Sequence, residues 1–319
     1  MNLKKICKTI KKRLNPEPPG PSSLDALSRL AELYIAKGRD KLLELENRGL
    51  QMMRFNYYSP IPSVADIENG WETRIPHPFF EPEIYHGDKM KDFLETALMP
   101  YSKEFSPRKD GDENDPNGFY WNNPSFGHCD AMALYCFIRH LKPKRILEIG
   151  GGYSTLIMDE AIRVNGMGEI WEVEPYPRPF LKRLTSITRF YEQPVQDLPL
   201  ALFTELEPND ILFIDSTHTV KTSSDCTFLY LKVLKHLQKE VLIQSHDIFL
   251  PDPMPKNWNT DFQFYWTEQY LLQALLIDNN RFEVVYSSRY HCLYNKEILD
   301  KFMDQKATTI GVSLWYKRV

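Results

Sequence analysis

The stretch at residues 143–155 reads PKRILEIGGGYST, and this part of the chain decides the fold. A proline ends the helical pattern before it, a short apolar run predicts a buried strand at 145–149, and three glycines lead into a helical pattern at 154–164. Glycines at a strand-to-helix turn let the backbone bend tightly and approach a ligand without a Cβ in the way. The stretch therefore predicts a strand, a ligand-binding turn and a helix.

The sequence on either side of this stretch continues the alternation of strands and helices. Further strands are predicted at 169–173, 187–191, 210–214, 241–244, 282–287 and 309–316. Helices are predicted at 129–141, from 178, at 223–237 and at 266–277. Such alternation indicates an α/β protein with a doubly wound, Rossmann-like, seven-stranded parallel sheet. Ligands of such a sheet bind at the carboxyl ends of its strands.

The N-terminal part of the chain divides into smaller segments. Residues 1–14 hold six Lys and Arg and no acid, and apolar side chains recur on one face of a predicted helix. This segment is interpreted either as a helix on an anionic membrane surface or as a solvated, frayed terminus. A proline-rich linker follows at 15–23, and a long amphipathic helix is predicted from 22 to about 53, interrupted at Gly38. We thus expect a basic segment and linker at 1–21, a helical, loop-rich cap at 22–125 and the main domain at 126–319.

The composition excludes several classes of protein. The 319 residues carry 39 Lys and Arg against 43 Asp and Glu, a net charge of −4, and 42% are hydrophobic. This balance provides a core but no overall basic field for nucleic acid. The five cysteines are scattered without a CxxC pair, so we expect reduced thiols. No apolar run reaches the ~20 residues of a membrane-spanning helix, which predicts a soluble, cytoplasmic protein, peripheral at the inner membrane face if residues 1–14 bind lipid. Whether the chain forms a homo-oligomer stays open.

Three residues around the glycine turn indicate which ligand it binds. A dinucleotide fingerprint would place glycine at the position of Thr155, so a dinucleotide oxidoreductase is disfavoured. Glu148 would repel phosphate but suits a cationic amino-acid group. Glu174 ends the next predicted strand, where a carboxylate can accept hydrogen bonds from both hydroxyls of a ribose. The ligand expected here is a nucleoside with a cationic amino-acid end.

Several motifs in combination resemble one family. Residues 143–155 resemble motif I of the class I S-adenosylmethionine-dependent methyltransferases. The runs DILFIDSTH at 210–218, HDIFLP at 246–251 and WTEQY at 266–270, with YSPIP at 58–62, are similar to the methyltransferase-24-like branch that acts on small molecules and glycans. The resemblance implies S-adenosylmethionine as the cofactor. It places Glu148, Gly150, Gly151 and Gly152 at the methionine end, Glu174 at the ribose, and Gln196 and Asp197 near the adenine, with Ser154 and Asp215 in the same site.

Four side chains suited to acid–base or metal chemistry follow two neighbouring predicted strands. Asp215 and His218 follow the fourth strand, and His246 and Asp247 follow the fifth, so all four should meet at one rim of the sheet. Asp215, His246 and Asp247 resemble the magnesium site of related O-methyltransferases and predict bound Mg²⁺ or Mn²⁺, with a histidine where magnesium prefers oxygen. One alternative is a metal-free site in which His218 or His246 is the catalytic base and Glu268 orients the base or binds the acceptor. Another is that these histidines only cap strand ends.

These residues together predict the reaction. We expect methyl transfer from S-adenosylmethionine to a hydroxyl of a small metabolite or a glycan, and the resemblance alone favours the glycan. Aromatic side chains in predicted loops near the strand ends would stack on such an acceptor: Tyr57, Tyr58, Trp71, Tyr120, Trp121, Trp258 and Trp266. The alternative is a catalytically silent, S-adenosylmethionine-binding assembly module of a membrane-associated complex.

Overall fold

The computed structural model describes residues 21–36 and 39–319. The predicted basic segment at 1–14, most of the proline-rich linker and the predicted helix interruption at Gly38 lie outside the described residues. None of the helices within the described ranges is long and apolar enough to span a bilayer.

A seven-stranded sheet forms the centre of the structure, as the alternation of patterns predicts. Its strands are β1 (Arg145–Ile149), β2 (Glu169–Val173), β3 (Ile187–Tyr191), β4 (Ile211–Ile214), β5 (Leu242–Ser245), β6 (Phe282–Ser287) and β7 (Leu314–Arg318). They lie in the order β3-β2-β1-β4-β5-β7-β6. β1 is parallel to its neighbours β2 and β4, so the carboxyl ends of these three strands meet at one edge.

The last strand departs from the predicted all-parallel sheet. β7 inserts between β5 and β6 and runs antiparallel to both, so the sheet is mixed. Whether a strand runs parallel or antiparallel depends on the strands it pairs with. The alternation of apolar and polar residues within the strand does not indicate this direction. β7 also starts at Leu314 instead of residue 309, because the backbone N–H groups of Val312 and Ser313 donate hydrogen bonds to the side chain of Asp130.

Helices cover both faces of the sheet and form much of the N-terminal part. The N-terminal helices are α1 (Pro21–Ala36), α2 (Arg39–Glu46), α3 (Val64–Asn69) and α4 (Gly87–Phe93). Those around the sheet are α5 (His128–Leu141), α6 (Tyr153–Asn165), α7 (Leu200–Thr204), α8 (Asp225–Phe228), α9 (Lys256–Thr260), α10 (Glu268–Leu276), α11 (Ser288–Tyr294) and α12 (Lys296–Met303). π-helical turns at Leu94–Leu98 and Leu229–Val233 prolong α4 and α8, and the first of them continues into one further α-helical turn at Met99–Ser102. Short 3₁₀ helices lie at Trp71–Thr73, Pro179–Arg183, Val195–Asp197 and Leu234–His236.

Some helices have limits other than the predicted ones. The long N-terminal helix ends at Glu46 instead of near residue 53, because Gly49 takes a left-handed φ of +72° in the turn that follows. The helix predicted from residue 178 is only a 3₁₀ helix at Pro179–Arg183, since β3 begins four residues later. α11 and α12 lie between β6 and β7, where the sequence analysis predicted no helix.

Two apolar layers hold the sheet between its helices. The first contains Phe137 of α5, whose ring stacks on Trp315 of β7 with centroids 3.9 Å apart. The second contains Leu229, which follows α8. Leu94 and Phe105 are fully buried in the first layer, so residues after α4 contribute to the main core. The boundary at residue 125 between the cap and the main domain stays a prediction.

Candidate active site

The glycine turn lies where β1 meets α6. Gly150 has a φ of +95°, and its N–H donates to the carbonyl of Val173 at 3.0 Å. A Cβ on Gly150 would stand 2.0 Å from the carbonyl oxygen of Asp215, so a larger residue does not fit. The hydroxyl of Thr155 accepts a hydrogen bond from the N–H of Gly152 at 3.0 Å and caps the start of α6. The turn therefore joins the carboxyl ends of β1, β2 and β4 closely.

A cavity of about 360 Å³ opens at these strand ends. Its walls include Gly150, Glu174, Gln196 and Asp215, four of the residues assigned to the cofactor from the sequence. The Oε1 atom of Glu174 accepts a hydrogen bond from the N–H of Tyr176 at 2.7 Å, and burial raises the pKa of the Glu174 carboxyl. The volume of the cavity, the carboxylate at the end of β2 and the open glycine turn suit an adenosyl ligand.

The other residues predicted for the cofactor are not among those that line this cavity. Glu148 and Ser154 are buried beneath the turn, where the Ser154 hydroxyl donates a hydrogen bond to Glu148. Gly151 and Gly152 form the turn itself, and Asp197 is exposed at the end of a 3₁₀ helix. Their assignments to the methionine end and the adenine of the cofactor stay predictions.

Glu172 is a second buried acid at this place, and the sequence analysis missed it. It lies opposite Glu148 in the register of β1 and β2, and both side chains are fully buried. Burial raises the pKa of Glu148 to about 7, and burial together with the neighbouring carboxyl raises the pKa of Glu172 well above its ordinary value. The pair therefore retains protons up to nearly neutral pH. An acid within the otherwise apolar residues 170–173 of β2 was the signal that could have identified it.

The four side chains predicted to meet at the rim of the sheet, Asp215, His218, His246 and Asp247, come together in the structure; we call this edge the reacting rim. Oδ1 of Asp215 lies 3.2 Å from Nε2 of His218 and 3.4 Å from Nδ1 of His246. Asp247 lies 3.7 Å from Nε2 of His218 and 3.5 Å from Nδ1 of His246. Because Asp215 also lines the cavity, this cluster of acids and histidines borders the cavity directly.

His218 is buried between carboxylates. Its Nδ1 lies 2.7 Å from Oε2 of Glu268 on α10, and Oε1 of Glu268 accepts a hydrogen bond from the hydroxyl of Tyr230 at 2.6 Å. Burial alone would lower the pKa of His218, but the hydrogen bonds to Asp215 and Glu268 outweigh it and raise the pKa to about 10. Glu268 therefore lies where it orients the His218 ring. Tyr230 has no sequence signal for this contact.

His246 is also buried, and both of its ring nitrogens lack a hydrogen-bond partner among the described residues. Its Nε2 lies 3.5 Å from Oδ2 of Asp130, a buried acid of α5 that the sequence analysis did not single out. Burial alone would lower the pKa of His246, but Asp215 and Asp247 raise it well above its ordinary value. Burial would likewise raise the pKa of Asp215, yet His246 and His218 hold it below its usual range. Donor atoms of Asp215, His246 and Asp247 lie within 4.8 Å of one another, a spacing that fits one divalent ion.

A groove of about 820 Å³ lies beside this cluster, between residues 59–74 and residues 253–270. Trp71 and Trp266 line it, and the ring of Trp266 packs on the ring of His218 with centroids 4.3 Å apart. Trp266 thus lies between the groove and the cluster. The other aromatic residues predicted for the acceptor lie elsewhere: Trp258 packs on Trp266, Tyr120 and Trp121 are buried in the core, and Tyr57 and Tyr58 are exposed and contact each other.

Comparisons with known proteins found one matching family model and several similar chains. Residues 147–248 match a family model described as a methyltransferase domain. An uncharacterized protein from Archaeoglobus fulgidus is 32% identical over 165 residues, which cover 49% of this chain and 74% of that protein. A putative O-methyltransferase from Klebsiella pneumoniae is 17% identical with a TM-score of 0.37, covering 72% of this chain and 89% of its own. The O-methyltransferase TomG from Streptomyces achromogenes, involved in tomaymycin synthesis and solved with S-adenosylmethionine, is 15% identical with a TM-score of 0.37, covering 71% of this chain and 88% of its own.

The sheet order, the glycine turn with its cavity and the matched domain define the class of protein. The chain belongs to the class I S-adenosylmethionine-dependent methyltransferases, as its motifs predict. The segment that matches the family model runs from β1 past the end of β5, so it contains both the glycine turn and the rim with Asp215 and Asp247. The protein is therefore an enzyme that transfers a methyl group from S-adenosylmethionine.

Proposed function

We propose that the acceptor atom is a hydroxyl oxygen of a glycan or a small polyhydroxylated metabolite, and that Asp215, His246 and Asp247 hold a divalent cation beside it. One observation carries the proposal: Asp215 belongs both to the wall of the cofactor cavity and to the cluster of acids and histidines. A methyl donor in the cavity and an acceptor at the cluster would meet at this carboxylate. Bringing the two together is the main requirement of an in-line methyl transfer.

The charges of the cluster support a cation. Asp130, Asp215, Asp247 and Glu268 surround two histidines, so carboxylates outnumber imidazoles. Buried carboxylates repel one another unless a cation or a proton lies between them. The Nδ1 atom of His246, which faces Asp215 and Asp247 and has no hydrogen-bond partner among the described residues, favours the same conclusion. One nitrogen ligand beside two carboxylates suits Mn²⁺ better than Mg²⁺, which prefers oxygen. When bound, such an ion supplies Lewis-acid chemistry that lowers the pKa of a hydroxyl.

His218 is the second group that acts on the acceptor hydroxyl in this proposal. Glu268 engages Nδ1 at 2.7 Å, so Nε2 faces the rim, 3.2 Å from Asp215. At that place Nε2 orients the acceptor by a hydrogen bond. The alternative to the cation is a metal-free reaction in which the same nitrogen first loses the proton that its raised pKa favours and then takes the hydroxyl proton as a general base. Both versions need the ring in the orientation that Glu268 maintains.

The groove beside the cluster supports a polyhydroxylated acceptor. Trp71 presents an exposed ring in this groove, and Asn69, Thr73 and Asn259 line the same walls with neutral polar groups. A sugar ring has apolar C–H faces that stack on an aromatic ring and hydroxyl edges that hydrogen-bond to amides and hydroxyls. The lining is therefore suited to a glycan or a similar metabolite.

The test combines cofactor binding with turnover on a panel of glycosides and small hydroxylated compounds. We expect chelation to stop turnover and Mn²⁺ or Mg²⁺ to restore it. Asp247→Asn should lose turnover and still bind S-adenosylmethionine in isothermal titration, since Asp247 is not among the residues that line the cavity. Asp278→Asn is the matched control, because Asp278 is exposed and shares with Asp247 a left-handed φ, +51° against +55°.

Other outcomes separate the alternatives. Turnover could survive chelation and fall ~10²- to 10⁴-fold in His218→Ala. This result would show that a histidine base, and not a cation, acts on the acceptor hydroxyl. Cofactor binding without turnover on any acceptor would favour the silent module. Full activity of an Asp215→Ala, Asp247→Ala double variant would contradict both catalytic versions.

A further inference from the structure

Asp130 is a buried carboxylate in the first turn of α5. Its Oδ1 accepts the N–H groups of Val312 and Ser313 at 3.2 and 3.1 Å, and its Oδ2 accepts that of Val312 at 2.9 Å. Gly311 lets this loop approach, because a Cβ there would stand 2.7 Å from Oδ1 of Asp130. The backbone before β7 thus fixes the position of the Asp130 carboxylate. Burial of such a charge is unfavourable unless it has a partner.

The partner that Asp130 faces is His246. Oδ2 of Asp130 lies 3.5 Å from Nε2 of His246, while Nδ1 of the same ring lies 3.4 Å from Asp215 and 3.5 Å from Asp247. Phe126 packs against the ring with centroids 4.5 Å apart. The imidazole therefore lies between one buried carboxylate and the two carboxylates of the proposed cation site.

We infer that Asp130 is a positioning residue for the cation site: it holds the Nε2 proton of His246, so that the Nδ1 lone pair points towards the cation. The inference rests on the cation of the proposed function and adds a residue to it. A histidine that ligates a metal usually donates its other N–H to a carboxylate or a carbonyl, which fixes both the tautomer and the ring orientation. Asp130 lies where such an acceptor is required.

Asp130→Asn tests the inference sharply because the backbone dictates how the amide must turn. The N–H groups of both Val312 and Ser313 reach Oδ1, at 3.2 and 3.1 Å, whereas only that of Val312 reaches Oδ2, at 2.9 Å. The amide oxygen can accept from both groups only in the place of Oδ1, so we expect it there. The amide NH₂ then replaces Oδ2 and donates to Nε2 of His246. This contact favours the opposite tautomer, with the proton on Nδ1, where it blocks the cation.

The measurement is Mn²⁺ binding to the full chain, followed by electron paramagnetic resonance. We expect Asp130→Asn to bind Mn²⁺ about 10- to 100-fold more weakly than wild type, the usual effect of losing such a partner. In protein titrated with Mg²⁺, nitrogen NMR of His246 should show a proton on Nε2 alone in wild type and a proton on Nδ1 in the variant. Asp159→Asn is the matched control, since Asp159 is also a buried helical acid but accepts a hydrogen bond from Ser186 away from the cluster.

Foldedness is checked separately by the affinity for S-adenosylhomocysteine, because Asp130 is not among the residues that line the cavity. Equal Mn²⁺ affinity of folded Asp130→Asn and wild type would overturn the role of Asp130 and leave the proposed function standing. Failure of wild type to bind Mn²⁺ would overturn the cation site and this inference with it. If Asp130→Asn does not fold, Asp130→Glu decides, since it keeps the charge but moves it: weaker Mn²⁺ binding supports the inference, and unchanged binding refutes it.

Discussion

The buried pair of Glu148 and Glu172 should make the stability of the cofactor-free protein depend on pH, and Glu172→Gln should remove much of this dependence. The unfolded chain ionises these groups above their ordinary pKa of 4.5, whereas in the folded protein burial raises the pKa of Glu148 to about 7, and burial together with the neighbouring carboxyl raises the pKa of Glu172. Their contribution to stability is therefore complete below pH 4.5 and is lost as the pH rises. Each retained proton is worth about 1.4 kcal/mol per pH unit, or roughly 3 kcal/mol between about pH 5 and about pH 7.

The Glu172→Gln variant keeps the volume of the side chain and mimics its protonated form. Its free energy of unfolding should match wild type near pH 5 and increasingly exceed it as the pH rises, by about 1.4 kcal/mol for each pH unit over which Glu172 of the wild type keeps its proton. Urea unfolding followed by circular dichroism over a series of pH values measures this difference. Glu297→Gln changes an exposed acid of α12 and should leave the pH dependence as it is in wild type. Parallel pH profiles for Glu172→Gln and wild type would refute the reasoning, since both carboxyls would then ionise freely in the folded protein.

Three further variants test other parts of the site. Glu174→Ala should weaken S-adenosylmethionine binding more than tenfold in isothermal titration, because a charge-assisted hydrogen bond contributes ~1.5 to 3 kcal/mol. An unchanged affinity would show that Glu174 does not bind the ribose. Gly150→Ala should lower the free energy of unfolding in urea by at least about 2 kcal/mol more than Gly166→Ala does. Both glycines have a positive φ. A Cβ on Gly150 would stand 2.0 Å from the carbonyl oxygen of Asp215, whereas one on Gly166 would meet no described atom within 4 Å. Equal losses would contradict the close approach. Trp71→Ala should raise the KM for the acceptor about tenfold with little change in kcat, because it removes a stacking face. An unchanged KM would exclude Trp71 from acceptor binding.

The glycine turn and the reacting rim could be predicted because both depend on strand order alone. Asp215 follows β4 directly and His246 follows β5 directly. β4 and β5 are parallel neighbours, so their carboxyl ends necessarily meet at one edge. Local pattern was sufficient for the strands and for the turn at Gly150, because an apolar run followed by glycines permits few other structures.

Contacts between distant elements could not be predicted in this way. Glu172 meets Glu148 only through the register of β1 and β2, which a single strand does not display. Asp130 reaches His246 because α5 packs against the loop before β7. No residue pattern in the first turn of a helix indicates such a partner. The antiparallel direction of β7 could not be predicted either, because it depends on pairing with distant strands.

β7 lies between β5 and β6 although it follows both in the chain. During synthesis on the ribosome, β1 to β5 can pair as they emerge, but β6 has no partner and β5 keeps an open edge until residues 314–318 leave the exit tunnel. Unpaired strand edges promote association between nascent chains, so the need for chaperones should be concentrated in this interval. Because the N–H groups of Val312 and Ser313 hold Asp130, we expect Asp130 to take its position beside His246 only when β7 closes the sheet. The residues that line the cofactor cavity all lie before residue 226, so we expect this cavity to be complete earlier than the reaction centre.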